Sequence, residues 1–275
     1  MKHEIVVFTK VPKAGITKTR LTTERGGILT PEEALAIYEG CLLDVLNVCI
    51  EAKCGEVAVC FNYDGDRDYL EQFLNRVPKR SEIKMVFADQ GGTFDECMQY
   101  AADYVLKHGK ADRLADDIVI VGGDLPSLQP EILRKTVALV EKMAASQAGQ
   151  EVAKHCEATS NIGAALVEGA CQEGGFSIIS YTCTTPFDFS GVFYNQDGVT
   201  ALDMIVAKAT EQKIPFGIVE MVPDVDIPLD LSSQIPVIRA LALAARYDDS
   251  LLAPLNTLNV FEEMGLESSA LPPER

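Results

Sequence analysis

The chain has 275 residues, of which 47% are hydrophobic and 24% charged, a composition ordinary for a folded globular protein and unlike that of a disordered one. Its net charge of −17 argues against a nucleic acid polymer as partner, because a polyanion would be repelled over a long range. The sequence shows neither a signal-peptide pattern nor a run of about 20 apolar residues, so we expect a cytoplasmic protein with no membrane span.

The first half of the chain alternates short apolar runs with helical patterns. The apolar runs at 5–8, 57–61, 83–87 and 118–121 are typical of buried parallel strands. Apolar residues with helical spacing occupy 31–49, 66–75, 94–108 and 130–143. Thr30 begins the first helix as its cap residue, ahead of Pro31 and Glu33. The alternation predicts an α/β protein with a doubly wound sheet.

The second half is expected to extend the same sheet. Residues 144–161 are small and polar with weak periodicity, which indicates a surface excursion or a partly mobile loop. Strand patterns follow at 164–167, 176–181 and 216–222, and helical patterns at 199–210, 229–245 and 255–264. We expect one domain over 1–245 and an extension over 246–275 whose end, the last ten residues, is disordered.

A cation-rich loop directly after the first strand is the first candidate site. Residues 10–25, here called the basic loop, contain five Lys or Arg residues and one carboxylate. Backbone N–H groups and cationic side chains at the exit of a strand suit an anionic pyrophosphate. The loop has neither the Walker A pattern nor the dinucleotide fingerprint. A solvated, lysine-rich surface loop is the alternative interpretation.

Carboxylates follow two other predicted strands. Asp124 comes after 118–121, and Asp224 and Asp226 come after 216–222. Ligands of open α/β sheets gather at the carboxyl ends of the strands, where Asp124 is placed to hold a divalent cation against phosphate oxygens. The alternatives are a turn aspartate for Asp124 and a helix cap for Asp226.

The segment Glu173-Gly174-Gly175 is the last candidate. Its paired glycines permit close approach of a ligand to the backbone, and Glu173 is placed to orient a hydroxyl group. A plain hairpin turn explains the same residues. The eight cysteines form no Cys-x-x-Cys pair and several lie in apolar segments, so we expect reduced, structural thiols.

Together these segments resemble a family of GT-A-type proteins that are classed provisionally as nucleotide-diphospho-sugar transferases. FTKVPKAGITKTRL resembles the family's F-x-K-x-P-x-x-G-x-x-K-T-R-L, GGDLPSL its G-S-D-x-P-x-L, EGGF its D-G-G-Y, and DVDIPLDL its D-V-D-T-P-E-D-L. The resemblance spans about residues 4–232. It implies a three-layer α/β/α GT-A fold with a mostly parallel central sheet. Related sheets also serve guanylyltransferases acting on phospholactate or the molybdenum cofactor.

The resemblance implies roles for individual positions. Lys18 and Arg20 would face the nucleotide phosphates, on the wall of the site opposite Asp124. Asp124 and Asp226 would bind Mg²⁺ or Mn²⁺. The full implied set is Asp124, Lys18 and Glu173 for catalysis, Lys10, Lys13, Gly15, Lys18, Thr19, Arg20 and Gly123 for the nucleotide, and Glu173, Gly174 and Gly175 for the sugar or acceptor.

The chain departs from the family near the expected nucleotide site. Where the family has Q-G-x-x-L-G-E-R-M, residues 90–98 read QGGTFDECM, so that Asp95 replaces a glycine and Cys97 an arginine. Glu173 stands in place of an aspartate, and a G-V-F-Y-N stretch stands where the family tends to have a tryptophan.

We therefore expect a metal-dependent transferase with a nucleotide-diphosphate-sugar donor and a small-molecule acceptor. The second half of the chain is sparse in Lys and Arg, which favours a neutral, sugar-like acceptor over a phosphorylated one. A nucleotidyltransferase that uses a nucleoside triphosphate and releases pyrophosphate is one alternative. A non-catalytic nucleotide-binding protein is another, which the altered 90–98 segment permits. The sequence specifies neither the base and sugar nor the oligomeric state.

Overall fold

Seven apolar runs form the strands of one sheet in the computed structural model, which describes residues 1–268. The strands are β1 (His3–Thr9), β2 (Glu56–Phe61), β3 (Ile83–Ala88), β4 (Asp117–Gly122), β5 (Leu166–Ala170), β6 (Phe176–Thr182) and β7 (Phe216–Val219). Their order across the sheet is β3-β2-β1-β4-β6-β5-β7, and of these strands β6 alone runs antiparallel to its neighbours. The predicted mostly parallel sheet is confirmed.

Eight α-helices accompany the sheet in the described part of the chain. They are α1 (Pro31–Ala52), α2 (Arg67–Leu74), α3 (Phe94–Leu106), α4 (Pro130–Ala144), α5 (Gln147–Ala153), α6 (Ala201–Glu211), α7 (Pro228–Ala244) and α8 (Leu255–Glu263). Thr30 caps α1 as predicted, since its side chain accepts a hydrogen bond from the Glu33 N–H and the Glu33 side chain accepts one from the Thr30 N–H.

The prediction of an irregular excursion at 144–161 is wrong in part. The Ser146 hydroxyl accepts a hydrogen bond from the Gly149 N–H and begins the short helix α5 there. Of the end that was expected to be disordered, residues 269–275 lie outside the described residues.

Both faces of the sheet are covered by helices, which gives the predicted three layers. Ile5 and Val7 of β1 belong to the apolar cluster under α1, α2 and α4, whereas Val6 belongs to the cluster under α3 and α6. This division follows from the alternation of side chains along a strand. The strand directions place the carboxyl ends of every strand except β6 at one edge of the sheet, and the β5–β6 hairpin reaches the same edge.

The C-terminal segment packs on helices α1 and α7. Phe261 of α8 is fully buried in a third apolar cluster, which also contains Leu21 of the basic loop and Val225. The Asp44 carboxylate of α1 accepts hydrogen bonds from the N–H groups of Asn256 and Thr257 in the first turn of α8. The domain boundary at residue 245 stays a prediction. Within residues 1–268, none of the helices has the length and apolar character that crossing a membrane requires.

Candidate functional site

A cavity of about 1030 Å³ lies at the edge of the sheet where the strands end. Loops that follow β1, β2, β3, β4 and β7 line it, together with the β5–β6 hairpin. The predicted site residues that line it are Lys10, Lys18, Thr19, Arg20, Gly123, Asp124, Glu173, Gly174, Gly175 and Asp226. Lys13 and Gly15, which were expected to bind the nucleotide, are not among the residues that line the cavity.

Four side chains form an ion cluster in this cavity: Lys18, Arg20, Asp124 and Asp226. The Lys18 ammonium contacts the Asp124 carboxylate and lies 3.3 Å from Oδ1 of Asp226. Arg20 pairs with the other oxygen of Asp226. The Lys18 side chain is only 9% exposed. Burial disfavours its charge, but the Asp124 and Asp226 carboxylates outweigh that effect and raise the pKa of Lys18.

The prediction that Lys18 lies on the wall opposite Asp124 is therefore wrong, because the Lys18 ammonium contacts the Asp124 carboxylate directly. Residues 18 and 226 are brought together by the parallel sheet, which delivers the loops after β1, β4 and β7 to one edge. The N–H of Val225 also donates a 3.1 Å hydrogen bond to the Asp124 carbonyl, which ties the last two loops together.

The basic loop presents Lys18 through a tight backbone turn. The Lys13 carbonyl accepts hydrogen bonds from the N–H groups of Ile16 and Thr17. Within this turn Gly15 has a φ of 73°. This left-handed conformation favours glycine, so Gly15 shapes the loop from outside the cavity. Lys18 itself is left-handed, with a φ of 53°. A non-glycine residue holds this conformation only where its surroundings enforce it.

The alternative interpretation, in which Asp226 caps the next helix, is wrong because a neighbouring carboxylate forms the cap. Asp230, at the third position of α7, accepts hydrogen bonds from the N–H groups of Asp226 and Ile227, at 2.9 and 2.7 Å. Asp230 thus caps α7. The Asp226 side chain faces Lys18 and Arg20 instead.

Gln172, which the sequence did not single out, reinforces this arrangement. The Gln172 amide nitrogen lies 2.7 Å from Oδ1 of Asp224 and 2.9 Å from Oδ1 of Asp230, which joins the β5–β6 hairpin to the start of α7. Burial, followed by the nearby Asp124 carboxylate, raises the pKa of Asp224 to about 6. An isolated glutamine carries no sequence signal for such a link.

Tyr38, within the helical pattern of 31–49, is buried and also lines the cavity. Its hydroxyl lies 2.5 Å from the Thr9 hydroxyl and accepts a 3.3 Å hydrogen bond from the Lys10 N–H. The Lys18 ammonium lies 5.7 Å from the centre of its ring. Tyr38 shares the helical spacing of its apolar neighbours, so the pattern could not distinguish it from them.

The hairpin interpretation and the ligand interpretation of 173–175 both fit the structure. The segment connects β5 to β6, lines the cavity and includes Gly174 at a φ of 73°. A Cβ atom at Gly174 would lie 2.5 Å from Cγ2 of Thr200, so only glycine fits there.

The altered 90–98 segment also lines the cavity. The Asp95 carboxylate accepts 2.8 Å hydrogen bonds from the N–H groups of Gly191 and Phe193 and so holds the loop that covers part of the site. Cys97 and Cys171 line the cavity as well. The sequence predicted a structural role for the cysteines and did not predict that two of them lie at the candidate site.

Solved structures with this fold include two bacterial proteins. A protein from Desulfovibrio desulfuricans G20, described provisionally as a nucleotide-diphospho-sugar transferase, aligns with a TM-score of 0.68 at 20% sequence identity over 96% of each chain. A cytidylyltransferase from Leptospira borgpetersenii serovar Hardjo-bovis (strain JB197) aligns with a TM-score of 0.50 at 14% identity over 96% of this chain and 95% of its own. At these identities the matches show the fold. No curated protein matches the sequence.

A sequence profile described as "uncharacterized protein conserved in bacteria (DUF2064)" matches residues 45–196. The match begins within α1 and ends in the loop held by Asp95, so it includes Asp124 and the β5–β6 hairpin. It covers more than half of the chain. The chain has a GT-A-like α/β/α fold. Because the profile matches more than half of it, the chain belongs to the DUF2064 family.

Proposed function

We propose that the protein is a metal-dependent transferase that takes a nucleotide-diphosphate-sugar donor. The observation that carries the proposal is the ion cluster, in which two cations of one loop meet two carboxylates at the edge of a GT-A-like sheet. The provisional description of the Desulfovibrio protein supports the same donor class.

In this proposal Lys18 and Arg20 bind the diphosphate. Arg20 is more than half exposed and pairs with Asp226 through one nitrogen, so its planar guanidinium has further N–H groups to offer to phosphate oxygens. As the bond to the sugar breaks, negative charge grows on the departing diphosphate, and a buried ammonium stabilises that charge more strongly than water does. The exposed Glu173 carboxylate on the β5–β6 hairpin orients the acceptor hydroxyl.

Asp124 and Asp226 fit a divalent cation. Their oxygens converge on the position now taken by the Lys18 ammonium, and Mg²⁺ characteristically binds one or two carboxylates together with substrate phosphates and water. In residues 1–268 no group of three or more acidic, histidine or cysteine side chains is arranged for a metal, so phosphate and water would complete the coordination. When bound, Mg²⁺ or Mn²⁺ would neutralise part of the charge of the departing group.

A nucleotidyltransferase is the second candidate, and the structural match to a cytidylyltransferase supports it. The same cations and carboxylates would hold a nucleoside triphosphate. An acceptor oxygen would then form a bond to the α-phosphorus while the bond to the pyrophosphate breaks.

Calorimetry with UDP-, GDP- and TDP-sugars and with nucleoside triphosphates, with and without Mn²⁺, tests both candidates. We expect one nucleotide class to bind only when the metal is present. Released nucleoside diphosphate then identifies sugar transfer, and released pyrophosphate identifies nucleotidyl transfer. Binding with neither product would establish the non-catalytic alternative.

The variant Asp124→Ala should keep the fold and lose metal-dependent nucleotide binding. Asp112→Ala, an exposed change near the opposite edge of the sheet, is its control and should bind as the unaltered protein does. Unchanged affinity in Asp124→Ala would refute the role of this carboxylate. If no nucleotide binds with metal, the proposed function itself is wrong.

A further inference from the structure

Four aromatic side chains outside the basic loop line the cavity: Phe94, Phe176, Phe193 and Tyr194, here called the aromatic wall. The ring centres of Phe94 and Phe193 are 4.5 Å apart, and those of Phe176 and Phe193 are 5.5 Å apart. Phe94 is nevertheless 42% exposed and Tyr194 86% exposed. Contiguous aromatic surface left open inside a cavity is typical of a ligand site, since folding alone favours its burial.

The loop that carries Tyr194 is held in place on both sides of that residue. Before it, the Asp95 carboxylate binds the N–H groups of Gly191 and Phe193. After it, the Asn195 side chain accepts a hydrogen bond from the Val199 N–H and donates one to the Val199 carbonyl. Between these contacts Tyr194 has a φ of 50°, a costly conformation for a residue other than glycine. The contacts therefore fix an exposed ring in a strained backbone, as expected for a pre-organised binding surface.

Charge separates the aromatic wall from the phosphate site. Among the described residues that line the cavity, every lysine and arginine belongs to the basic loop: Lys10, Lys18, Arg20 and Arg25. The β5–β6 hairpin beside the wall adds the Glu173 carboxylate instead. A phosphorylated or carboxylated ligand at the wall would meet a negative charge, and the cavity-lining residues of the segments that form the wall include no cation to balance it. A neutral ligand would meet no such repulsion.

The polar side chains suited to reading a nucleobase lie elsewhere in the cavity. Asn62 and Asp64 follow β2, and Asp89 follows β3. Their amide and carboxylate groups offer the hydrogen bonds that the edge of a base requires. Phe176, Phe193 and Tyr194 come from β6 and the loop after it, on the other side of β1 in the order of strands, and Phe94, which follows β3, contacts Phe193 there. The aromatic wall offers ring faces instead, which suit the C–H face of a sugar ring.

We propose that the aromatic wall is the acceptor subsite and that it takes a neutral, hydroxyl-bearing acceptor with an apolar face, of the glycoside class. Asp95 is its positioning residue, because it holds the loop of Phe193 and Tyr194 without lining that wall itself. This assignment rests on the proposed transferase function, and it gives the replacement of the family's glycine by Asp95 a physical role.

Saturation-transfer NMR with the full chain tests the proposal without requiring turnover. The probes are the methyl glycosides of glucose, galactose and mannose, each compared with the corresponding sugar 6-phosphate. We expect at least one glycoside to receive saturation and its 6-phosphate to bind at least about five-fold more weakly. Tyr194→Ala and Asp95→Ala should both weaken glycoside binding by about five-fold or more, and Tyr194→Phe should retain it.

Tyr247→Ala is the matched control, since Tyr247 is also 86% exposed but lies outside the cavity. It should leave the glycoside signal unchanged. Nucleotide affinity, measured by calorimetry on the same variants, should be unchanged in Tyr194→Ala, which separates this proposal from the proposed function.

Three results would overturn the proposal: 6-phosphates that bind as well as the glycosides, no glycoside binding in a protein that binds nucleotide, or a Tyr194→Ala variant that loses nucleotide affinity. The last result would assign the wall to the nucleobase. Absence of nucleotide binding together with normal glycoside binding would refute the transferase function and leave the wall as a glycoside site.

Discussion

At the scale of single residues, Lys18 determines how a metal reaches the site. Its buried ammonium already contacts both Asp124 and Asp226, so a metal ion arriving alone must displace the ammonium and leave it without a partner. A nucleotide phosphate gives the ammonium a new partner. We therefore predict that Mn²⁺ binds weakly to the free protein and tightly in the presence of nucleotide, and that Lys18→Met raises Mn²⁺ affinity without nucleotide about ten-fold.

Titration of the Mn²⁺ electron paramagnetic resonance signal measures this affinity directly. Lys10→Met is the control, because Lys10 lines the same cavity but is not part of the ion cluster. It should leave Mn²⁺ binding unchanged. A folded Lys18→Met protein with the original Mn²⁺ affinity would contradict the prediction.

Glu168 is a second residue whose environment has a measurable consequence. It is fully buried in β5, and within residues 1–268 neither carboxyl oxygen has a hydrogen-bond partner. Burial raises the pKa of Glu168 from 4.5 to about 8. Between these values the unfolded chain releases a proton that the folded protein keeps, so this residue lowers stability as the pH rises.

We predict that Glu168→Met stabilises the protein and that its advantage grows by about 2–4 kcal/mol between about pH 5 and about pH 8. Urea unfolding at several pH values measures the difference. The exposed Glu211→Met should show no such trend. An advantage that is equal at all pH values would mean that Glu168 is ionised in the folded protein throughout.

At the scale of elements, α8 takes its N-terminal cap from another helix. The Asp44 carboxylate accepts hydrogen bonds from two N–H groups and from the Asn256 and Thr257 side chains, with distances between 2.7 and 3.2 Å. Asp44 is buried, so its loss leaves several donors without a partner. We predict that Asp44→Ala lowers the free energy of unfolding by about 2–4 kcal/mol.

Urea unfolding of Asp66→Ala provides the comparison, because Asp66 caps α2 locally and in contact with solvent. That change should cost about 1 kcal/mol. Equal losses in the two variants would show that the cap between helices contributes nothing beyond a local one.

The elements that sequence reasoning located correctly carry local signals. Thr30 and Glu33 lie three residues apart and form the cap of α1 whatever the rest of the chain does. Short α5 has few apolar residues and depends on its contact with α4, which no local pattern records. The four members of the ion cluster were each predicted as site residues, but their direct contact joins positions up to 208 residues apart, which no local pattern records.

The aromatic wall likewise depends on contacts between residues that are far apart in the sequence. Phe94 and Phe193 have spacing and composition that fit core residues. They line the cavity together where Asp95 holds a loop that lies 96 residues later in the chain. The charged half of the candidate site is conspicuous in the sequence because a cluster of cations is unusual in so acidic a chain. The proposed apolar half is not conspicuous, because apolar residues are expected throughout a folded chain.

At the scale of the whole molecule, the C-terminal helix and the proposed phosphate site share one apolar cluster. Phe261 of α8 is fully buried in it, beside Leu21 of the basic loop and Val225 of the segment that carries Asp226. Leu21 is three residues from Lys18, and Val225 donates the hydrogen bond that ties Asp124 to this segment. We therefore expect the order of the ion cluster to depend on α8, which lies outside the family resemblance.

We predict that Phe261→Ala lowers the free energy of unfolding by about 3–5 kcal/mol and, in the protein that remains folded, weakens nucleotide binding. Amide hydrogen exchange should become faster at 18–25 and 224–227, because both segments lose a packing partner. Leu106→Ala, in the cluster under α3 and at the end of that helix remote from the cavity, is the control. It should cost about 2–5 kcal/mol and leave nucleotide affinity unchanged. Equal affinity in the two variants would show that the cluster supports the fold without ordering the site.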